Sequence, residues 1–318
     1  MKIVILDGYA LNPGDLDWSV LSPFGEVTVY ERTDSEEVAI ERLAHCQILL
    51  TNKFPITESL LAACPELRLI CVQATGYNIV DCAAARKRGI AVCNVPSYST
   101  DSVAQLTFAL LLELCNQVGL HNTAVHQGAW CASSDFCFWL SPLTELAGKT
   151  LGIIGLGSIG QAVARIGKAF GMNILAYSRS RRPECRELAT YVELDTLLER
   201  SHVVSLHCPL FPETERLINP ETIAKMRPGA MLINTSRGGL IDEQAVADAL
   251  CSGKLRGAAV DVVSREPMAS DNPLLSAPNC IITPHIAWAP TESRIRLMNT
   301  LVENIEAFLA GKPKNVVN

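Results

Sequence analysis

Several absences in this 318-residue sequence narrow its possible functions. It contains twelve cysteines, but no two of them lie closer than six residues, so the C-x-x-C spacing of many metal and redox sites is missing. It has no polar or low-complexity tract, and 48% of its residues are apolar, which is typical of a compact chain. The sequence therefore predicts neither a metal site nor a long disordered segment.

The sequence also has little that would suit a nucleic acid or a membrane. The formal net charge is −6, and the basic residues form no stripe beyond Arg179 to Arg182. Residues 1–8 have the pattern of a short strand and a turn, without the length of a signal or membrane segment. We expect no nucleic-acid or membrane partner. The cysteines lie mostly in apolar patterns, which favours a reducing cytoplasm.

A glycine-rich turn, Gly155-Leu-Gly-Ser-Ile-Gly160, follows an apolar strand in the middle of the chain. Gly155 permits a tight turn, Gly157 lets the backbone approach a pyrophosphate, and Gly160 lets the next helix pack closely on the strand. Free N–H groups at the start of that helix would face the phosphates. Apolar residues recur at helical spacing over residues 159–170. This pattern predicts a bound dinucleotide.

Strands and helices alternate on both sides of this turn. Before it, strands are predicted near residues 2–6, 26–30, 46–50, 67–71 and 90–93. After it, strands are predicted near residues 173–177, 203–207, 230–234, 257–261 and 279–283. Such alternation is typical of parallel sheets covered by helices. We therefore predict an α/β fold with two Rossmann-like, doubly wound parallel-sheet domains.

The last predicted helix, residues 291–310, has no strand after it to join the second sheet. We expect it to return to a discontinuous, flavodoxin-like substrate domain made of residues 1–98 and 287–318. The dinucleotide-binding Rossmann domain, residues 99–286, is then inserted into it, entered through a long apolar helix over residues 101–118. The cleft between the two domains would hold the chemistry.

Four segments, in this order, make the chain resemble the D-2-hydroxyacid dehydrogenase family. They are Gly155–Gly160, Asn234-Thr-Ser-Arg237-Gly238, Asp261 with Arg265-Glu266-Pro267, and Pro284-His285-Ile-Ala-Trp288. Within the family, residues 74–78, 98–105, 135–139 and 285–288 are most similar to glycerate dehydrogenases and hydroxypyruvate reductases. The resemblance implies hydride transfer between NAD(P) and a small D-2-hydroxy acid or 2-oxo acid, with hydroxypyruvate or glyoxylate as the expected oxo acid.

Reduction of a 2-oxo acid needs a cation near the carboxylate and ketone, and a proton donor for the forming alkoxide. Arg237 suits the first role, since a planar guanidinium bonds two oxygens and stays charged. His285, just beyond a predicted strand, is the best placed of six histidines for the second. A neighbouring carboxylate would favour the protonated imidazolium. The resemblance implies that Glu266 supplies it.

The resemblance also implies contacts with cofactor and substrate. The candidate cofactor-binding residues are Gly155, Gly157, Ser158, Ile159, Gly160, Ser178, Arg179, Ser180, His207, Pro209, Thr214, Thr235, Ser236 and Asp261. Asp261 would bond the nicotinamide carboxamide. The substrate carboxylate would meet backbone N–H groups around Thr75 and Gly76, a small anion-binding nest, and Trp288 would form a wall of the pocket.

No acidic residue lies between Gly160 and Glu184, where an NAD-binding fold usually places an Asp or Glu that accepts a hydrogen bond from the ribose 2′-OH. The second strand of the unit ends instead in Ser178-Arg179-Ser180. These residues could bind a 2′-phosphate, which a carboxylate would repel. We therefore expect NADP(H). NAD(H) stays possible if this segment is only a solvated basic turn.

Two other functions stay open from the sequence. A dehydrogenase of another D-2-hydroxy acid would need the same catalytic residues. A dinucleotide-sensing, corepressor-like binding module shares the fold, but such proteins usually carry extra terminal segments, and the last predicted helix here ends at about residue 310. We expect an enzyme that forms a homodimer. Trp139 could reach a neighbouring subunit's site or be an ordinary core tryptophan.

Overall fold

A computed structural model describes all residues, 1–318. The chain forms two compact units: Met1–Ser99 with Ala289–Asn318, and Thr100–Trp288. Each is an α/β unit built on one parallel sheet, which confirms the predicted fold class. The chain passes between the units after Ser99 and after Trp288. The predicted boundaries, after residues 98 and 286, lie one and two residues earlier.

The first unit contains a five-stranded sheet. Its strands are β1 (Lys2–Ile5), β2 (Glu26–Val29), β3 (Ile48–Thr51), β4 (Leu69–Val72) and β5 (Ala91–Cys93). The helices between them are α1 (Glu36–Arg42), α2 (Glu58–Ala63) and α3 (Cys82–Lys87), with a 3-10 helix at Trp18–Phe24. The strand order β2-β1-β3-β4-β5 is that of flavodoxin-like folds.

The second unit contains seven strands. They are β6 (Thr150–Ile154), β7 (Asn173–Tyr177), β8 (Thr190–Tyr191), β9 (Val203–Leu206), β10 (Ala230–Asn234), β11 (Leu255–Val260) and β12 (Cys280–Ile282). Its helices are α4 (Thr100–Asn116), α5 (Val118–His126), α6 (Ser158–Ala169), α7 (Leu194–Arg200), α8 (Pro220–Lys225) and α9 (Glu243–Cys251). The order β12-β11-β10-β9-β6-β7-β8 is the Rossmann order with one more strand at an edge.

The last helix, α10 (Thr291–Leu309), packs against β4 of the first unit. Leu297, Leu301 and Ile305 on its inner face are fully buried. All four residues of both β3 and β4 are buried. Nearly continuous apolar runs of this kind are typical of parallel strands covered on both faces. This is why the sequence pattern located these strands to within two residues.

The helix predicted over about residues 101–118 is present, but it ends two residues earlier. Helix α4 ends at Asn116 because Gln117 adopts a left-handed conformation (φ 46°), and α5 begins at Val118. No single helix has the length and hydropathy to cross a membrane. Helices α4 and α5 together have sufficient length and hydropathy, but they are bent by 57° relative to each other.

All twelve cysteines are free thiols, and seven of them are buried. Burial raises the pKa of the Cys46 thiol to about 12 and that of Cys208 to about 11. These thiols are therefore protonated at neutral pH and act as small apolar core residues.

Candidate active site

The glycine-rich turn joins β6 to α6. Gly155 has φ +96°, and a Cβ on it would lie 2.6 Å from the His207 carbonyl oxygen and the Cys208 nitrogen. A Cβ on Gly160 would overlap the carbonyl oxygen of Gly155. Both positions therefore exclude any side chain, for the reasons predicted: a tight turn at the first glycine and close helix packing at the last.

Gly157 differs from the other two glycines, because no atom lies within 4 Å of the position that its Cβ would occupy. It is the N-cap of α6 and provides no side-chain hydrogen bond. Ser158 beside it is exposed, while Ile159 is half-buried against the core. The helix start thus offers uncapped N–H groups next to open space, as a pyrophosphate requires. The residues present fit a dinucleotide.

His285 and Glu266 are hydrogen-bonded, with 2.7 Å between His285 Nδ1 and Glu266 Oε2. Glu266 follows β11 and His285 follows β12, and these strands are neighbours in the parallel sheet. The side chain of Glu266 is 32% exposed and that of His285 is 27% exposed. Because Nδ1 donates to the carboxylate, Nε2 is the nitrogen left to exchange a proton with a bound molecule.

The loop that carries His285 is held by Asp261, which is 1% exposed. The Asp261 carboxylate accepts hydrogen bonds from the Thr283 hydroxyl (2.6 Å) and the backbone N–H groups of Ile286 and Ala287 (2.9 Å each). His285 has φ +55°, and its N–H donates to the Asp261 carbonyl oxygen. A left-handed residue other than glycine persists only where its surroundings fix it. Asp261 does so here, while its contact with a carboxamide stays a prediction.

Arg237 lies at the carboxyl end of β10, the strand next to β11. Its carbonyl oxygen accepts a hydrogen bond from Asn234 Nδ2 (2.8 Å), and its exposed guanidinium donates to the Ser236 carbonyl oxygen (2.7 Å). A Cβ on Gly238 would overlap the backbone of Val263, so this segment lies against the loop that leads to Glu266. The three predicted catalytic residues therefore follow three consecutive strands of the sheet.

Three predicted cofactor-lining hydroxyls are bonded within the protein. Thr214 Oγ1 accepts from the N–H of Phe211 (2.7 Å) and donates to the carbonyl oxygen of Pro209 (2.9 Å). Ser236 Oγ donates to the Cys208 carbonyl oxygen (2.8 Å). Thr235 Oγ1, which is buried, lies 3.0 Å from Thr107 Oγ1. These hydroxyls fix the loops after β9 and β10.

His207 follows β9 and is half-buried, with its Nε2 2.8 Å from Ser205 Oγ. Desolvation lowers the pKa of His207 to about 3. Its imidazole is therefore neutral at physiological pH. A neutral imidazole at this position does not carry the charge of an imidazolium.

The end of β7 is polar and basic. Ser178 is half-buried, whereas Arg179 and Ser180 are exposed. The Arg179 guanidinium carbon lies 5.6 Å from the centre of the Phe211 ring, and Arg181 pairs with Glu193. The next segment of the chain, residues 181–191, lines a cavity of about 340 Å³. Its lining residues are Arg181, Arg182, Pro183, Arg186, Ala189, Thr190 and Tyr191.

The predicted substrate-binding residues lie in both units. Thr75 Oγ1 donates to the Val95 carbonyl oxygen (2.8 Å), which fixes the turn after β4 that contains Gly76. Trp288, half-buried, is the last residue of the second unit. Trp139 is 66% exposed, so it is not a core tryptophan of this chain. The substrate contacts of these residues stay predictions.

The profile of one protein family, described as "D-isomer specific 2-hydroxyacid dehydrogenase, NAD binding domain", matches residues 108–287. The chain is also 56% identical over 322 residues to a hydroxypyruvate reductase of Blautia hydrogenotrophica, with 100% of both chains covered. The chain belongs to the D-2-hydroxyacid dehydrogenase family. Its second unit is therefore a nicotinamide-dinucleotide-binding domain.

Two further proteins are similar to the chain over nearly its whole length. A glycerate dehydrogenase of Methylorubrum extorquens is 40% identical, with 99% of this chain and 98% of the relative covered. A solved structure, "Acyclic imino acid reductase (Bsp5) in complex with NADPH and D-Arg", has a TM-score of 0.88 at 32% identity, with 100% of both chains covered. The chain thus shares the fold of this reductase over its whole length.

Sequence reasoning missed two contacts of this dehydrogenase site. Phe211 faces Arg179 across 32 residues of sequence, and no local pattern indicates it. Glu243, at the start of α9, bonds the loop that contains Glu266. An acid in the first turn of a helix is ordinary, so its pairing could not be read from the sequence.

Proposed function

We propose that the chain reduces hydroxypyruvate or glyoxylate, or catalyses the reverse oxidation of D-glycerate or glycolate. The observation that carries the proposal is the His285–Glu266 pair, with Arg237 at the end of the next strand. The names of the relatives at 56% and 40% identity support this choice of substrate.

Arg237, His285 and Glu266 have different roles in the proposed reaction. The glycine-rich turn and the start of α6 would hold the dinucleotide, whose nicotinamide would supply or take up the hydride. The Arg237 guanidinium bonds the carboxylate and the ketone oxygen of the 2-oxo acid and polarises the ketone. His285 donates the proton on Nε2 to that oxygen, and Glu266 stabilises the protonated imidazolium before the proton leaves.

A kinetic comparison of 2-oxo acids tests this proposal. Hydroxypyruvate, glyoxylate, pyruvate and a bulky 2-oxo acid are each assayed with NADH and with NADPH. We expect the highest kcat/KM for hydroxypyruvate or glyoxylate. A clear preference for pyruvate or the bulky acid would assign the chain to another D-2-hydroxy acid.

We also propose that NADP(H) is the preferred cofactor. The sequence has no acidic residue at the end of β7, where the ribose of a dinucleotide would bind in this fold. Ser178 and Arg179 instead offer a hydroxyl and a guanidinium to a 2′-phosphate. The imino acid reductase structure at 32% identity contains NADPH, which supports this preference.

Arg179→Ala should therefore weaken NADPH and leave NADH nearly unchanged. One charge-assisted hydrogen bond is worth about 1.5–3 kcal/mol, or on the order of 10–100-fold in affinity. Ser178→Asp should hinder NADPH by charge repulsion and offer the NADH ribose an acceptor. The measurement is kcat/KM for both cofactors, with Arg200→Ala as the surface-arginine control. If the wild type prefers NADH, or Arg179→Ala lowers both cofactors equally, the preference is wrong.

We further propose that the enzyme is a homodimer joined through the segment between α5 and β6. Large apolar side chains on this segment are exposed: Trp130 (51%), Phe136 (89%), Trp139 (66%), Leu140 (53%) and Leu143 (53%). Soluble monomers rarely expose so many together, and a second copy of the same chain is the commonest partner for such a surface.

Replacing Phe136 and Trp139 together with serine should convert dimers to monomers, because it removes the two most exposed rings of this surface. Sedimentation velocity measures the mass directly. Leu309→Ser, at an exposed position in the first unit, is the control and should stay dimeric. A monomeric wild type would contradict the proposal.

A further inference from the structure

Glu243 is the first residue of α9, whose N-cap is Asp242. Its side chain makes three hydrogen bonds to the loop after β11. Oε1 accepts from the Ser264 N–H (2.7 Å), and Oε2 accepts from the Ser264 hydroxyl (2.8 Å) and from Asn272 Nδ2 (2.9 Å). One carboxylate thus holds both ends of the segment from Ser264 to Asn272.

Glu266 lies inside that segment, two residues after Ser264. The segment contains no helix or strand, so its shape depends on contacts of this kind. Its start is also fixed by the close approach of Gly238 to Val263. These contacts hold the chain in place immediately before the Glu266 carboxylate, which lies 2.7 Å from His285.

We propose that Glu243 is a positioning residue for the reaction. By holding the loop at Ser264 and Asn272, it keeps the Glu266 carboxylate against Nδ1 of His285. The inference rests on the catalytic roles proposed for Glu266 and His285. Glu243 itself bonds the loop, whereas Glu266 bonds the imidazole, so Glu243 acts on His285 only through Glu266.

A simpler role for Glu243 would be to stabilise α9, since an acid in the first turn of a helix interacts favourably with the helix dipole. That role would change the stability of the protein and leave the catalytic step alone. The two roles therefore differ in whether kcat changes when dinucleotide and substrate binding are unchanged.

The experiment compares Glu243→Ala, Glu243→Gln and the control Gln244→Ala, whose side chain bonds only Asp248 on its own helix. We expect Glu243→Ala to lower kcat by about 10–100-fold, because a small misplacement of a catalytic group has effects of this size. The KM values and the Kd of the dinucleotide should stay within about twofold. Glu243→Gln should keep part of the activity, since its amide oxygen still accepts from the Ser264 N–H.

A double-mutant cycle with Glu266→Gln shows whether the effect passes through Glu266. If it does, adding Glu243→Ala to Glu266→Gln should cause little further loss of kcat. Ser264→Ala, which removes one of the three bonds from the loop side, should show the same effect at smaller size. It also provides the test if Glu243→Ala does not fold.

The outcomes separate this inference from the proposed function. If Glu266→Gln keeps wild-type kcat, the assignment of the catalytic pair is wrong. If Glu266→Gln lowers kcat but Glu243→Ala and Ser264→Ala do not, the positioning role alone is wrong. Additive losses in the double mutant would also overturn it.

Discussion

His285→Ala should lower kcat for hydroxypyruvate reduction by ~10²–10⁴-fold, the usual contribution of a positioned proton donor. Dinucleotide affinity should be nearly unchanged, because the glycine-rich turn and the end of β7 lie on other elements. The basis is the hydrogen bond between His285 Nδ1 and Glu266, which leaves Nε2 as the nitrogen that can give a proton to the substrate. Steady-state kinetics and dinucleotide titration of the same variant measure both quantities.

The backbone at His285 makes a second variant necessary. Its φ of +55° disfavours alanine, whereas asparagine tolerates this region, so His285→Asn removes the proton donor with less strain. His45→Ala is the matched control, since His45 also has a positive φ and pairs with a carboxylate, Glu66, in the first unit. Near wild-type turnover in both His285 variants would show that another group donates the proton.

The sequence predicted the sheets well because their strands are locally distinctive. Strands such as β3 and β10 are buried at every residue. In the sequence, such strands are recognisable as apolar runs bounded by turn residues. The break at Gln117 and the two-residue strand β8 could not be predicted in the same way. A left-handed residue other than glycine has no reliable local signal, and two residues show no periodicity.

The site was predictable only in part for a related reason. The pairing of Glu266 with His285 came from resemblance to a family, since Glu-Pro in a loop has the pattern of a surface turn. The bonds from Asp261 to Ile286 and Ala287 span 25 and 26 residues, and those from Glu243 to Ser264 span 21. Such contacts depend on which strands become neighbours in the sheet, and no local pattern contains that information.

Arg237→Ala should lower kcat/KM for the 2-oxo acid by on the order of 10²–10⁴-fold, because it removes two charge-assisted hydrogen bonds worth about 1.5–3 kcal/mol each. Arg237→Lys should still lower it by about 10–100-fold, since an ammonium cannot bond both the carboxylate and the ketone oxygen as a planar guanidinium does. Arg227→Lys, an exposed arginine of the same unit, is the control.

The division of the Arg237 effect between KM and kcat shows what the guanidinium contacts. The Asn234 side chain holds the Arg237 backbone, so the lysine variant should present its ammonium from the same strand end. A guanidinium that binds the carboxylate in the ground state and the ketone oxygen as charge develops should affect both constants, so KM should rise and kcat should fall. A lysine variant with unchanged KM would mean that another group binds the carboxylate. Arg237 would then act only on the ketone oxygen, and kcat alone would fall.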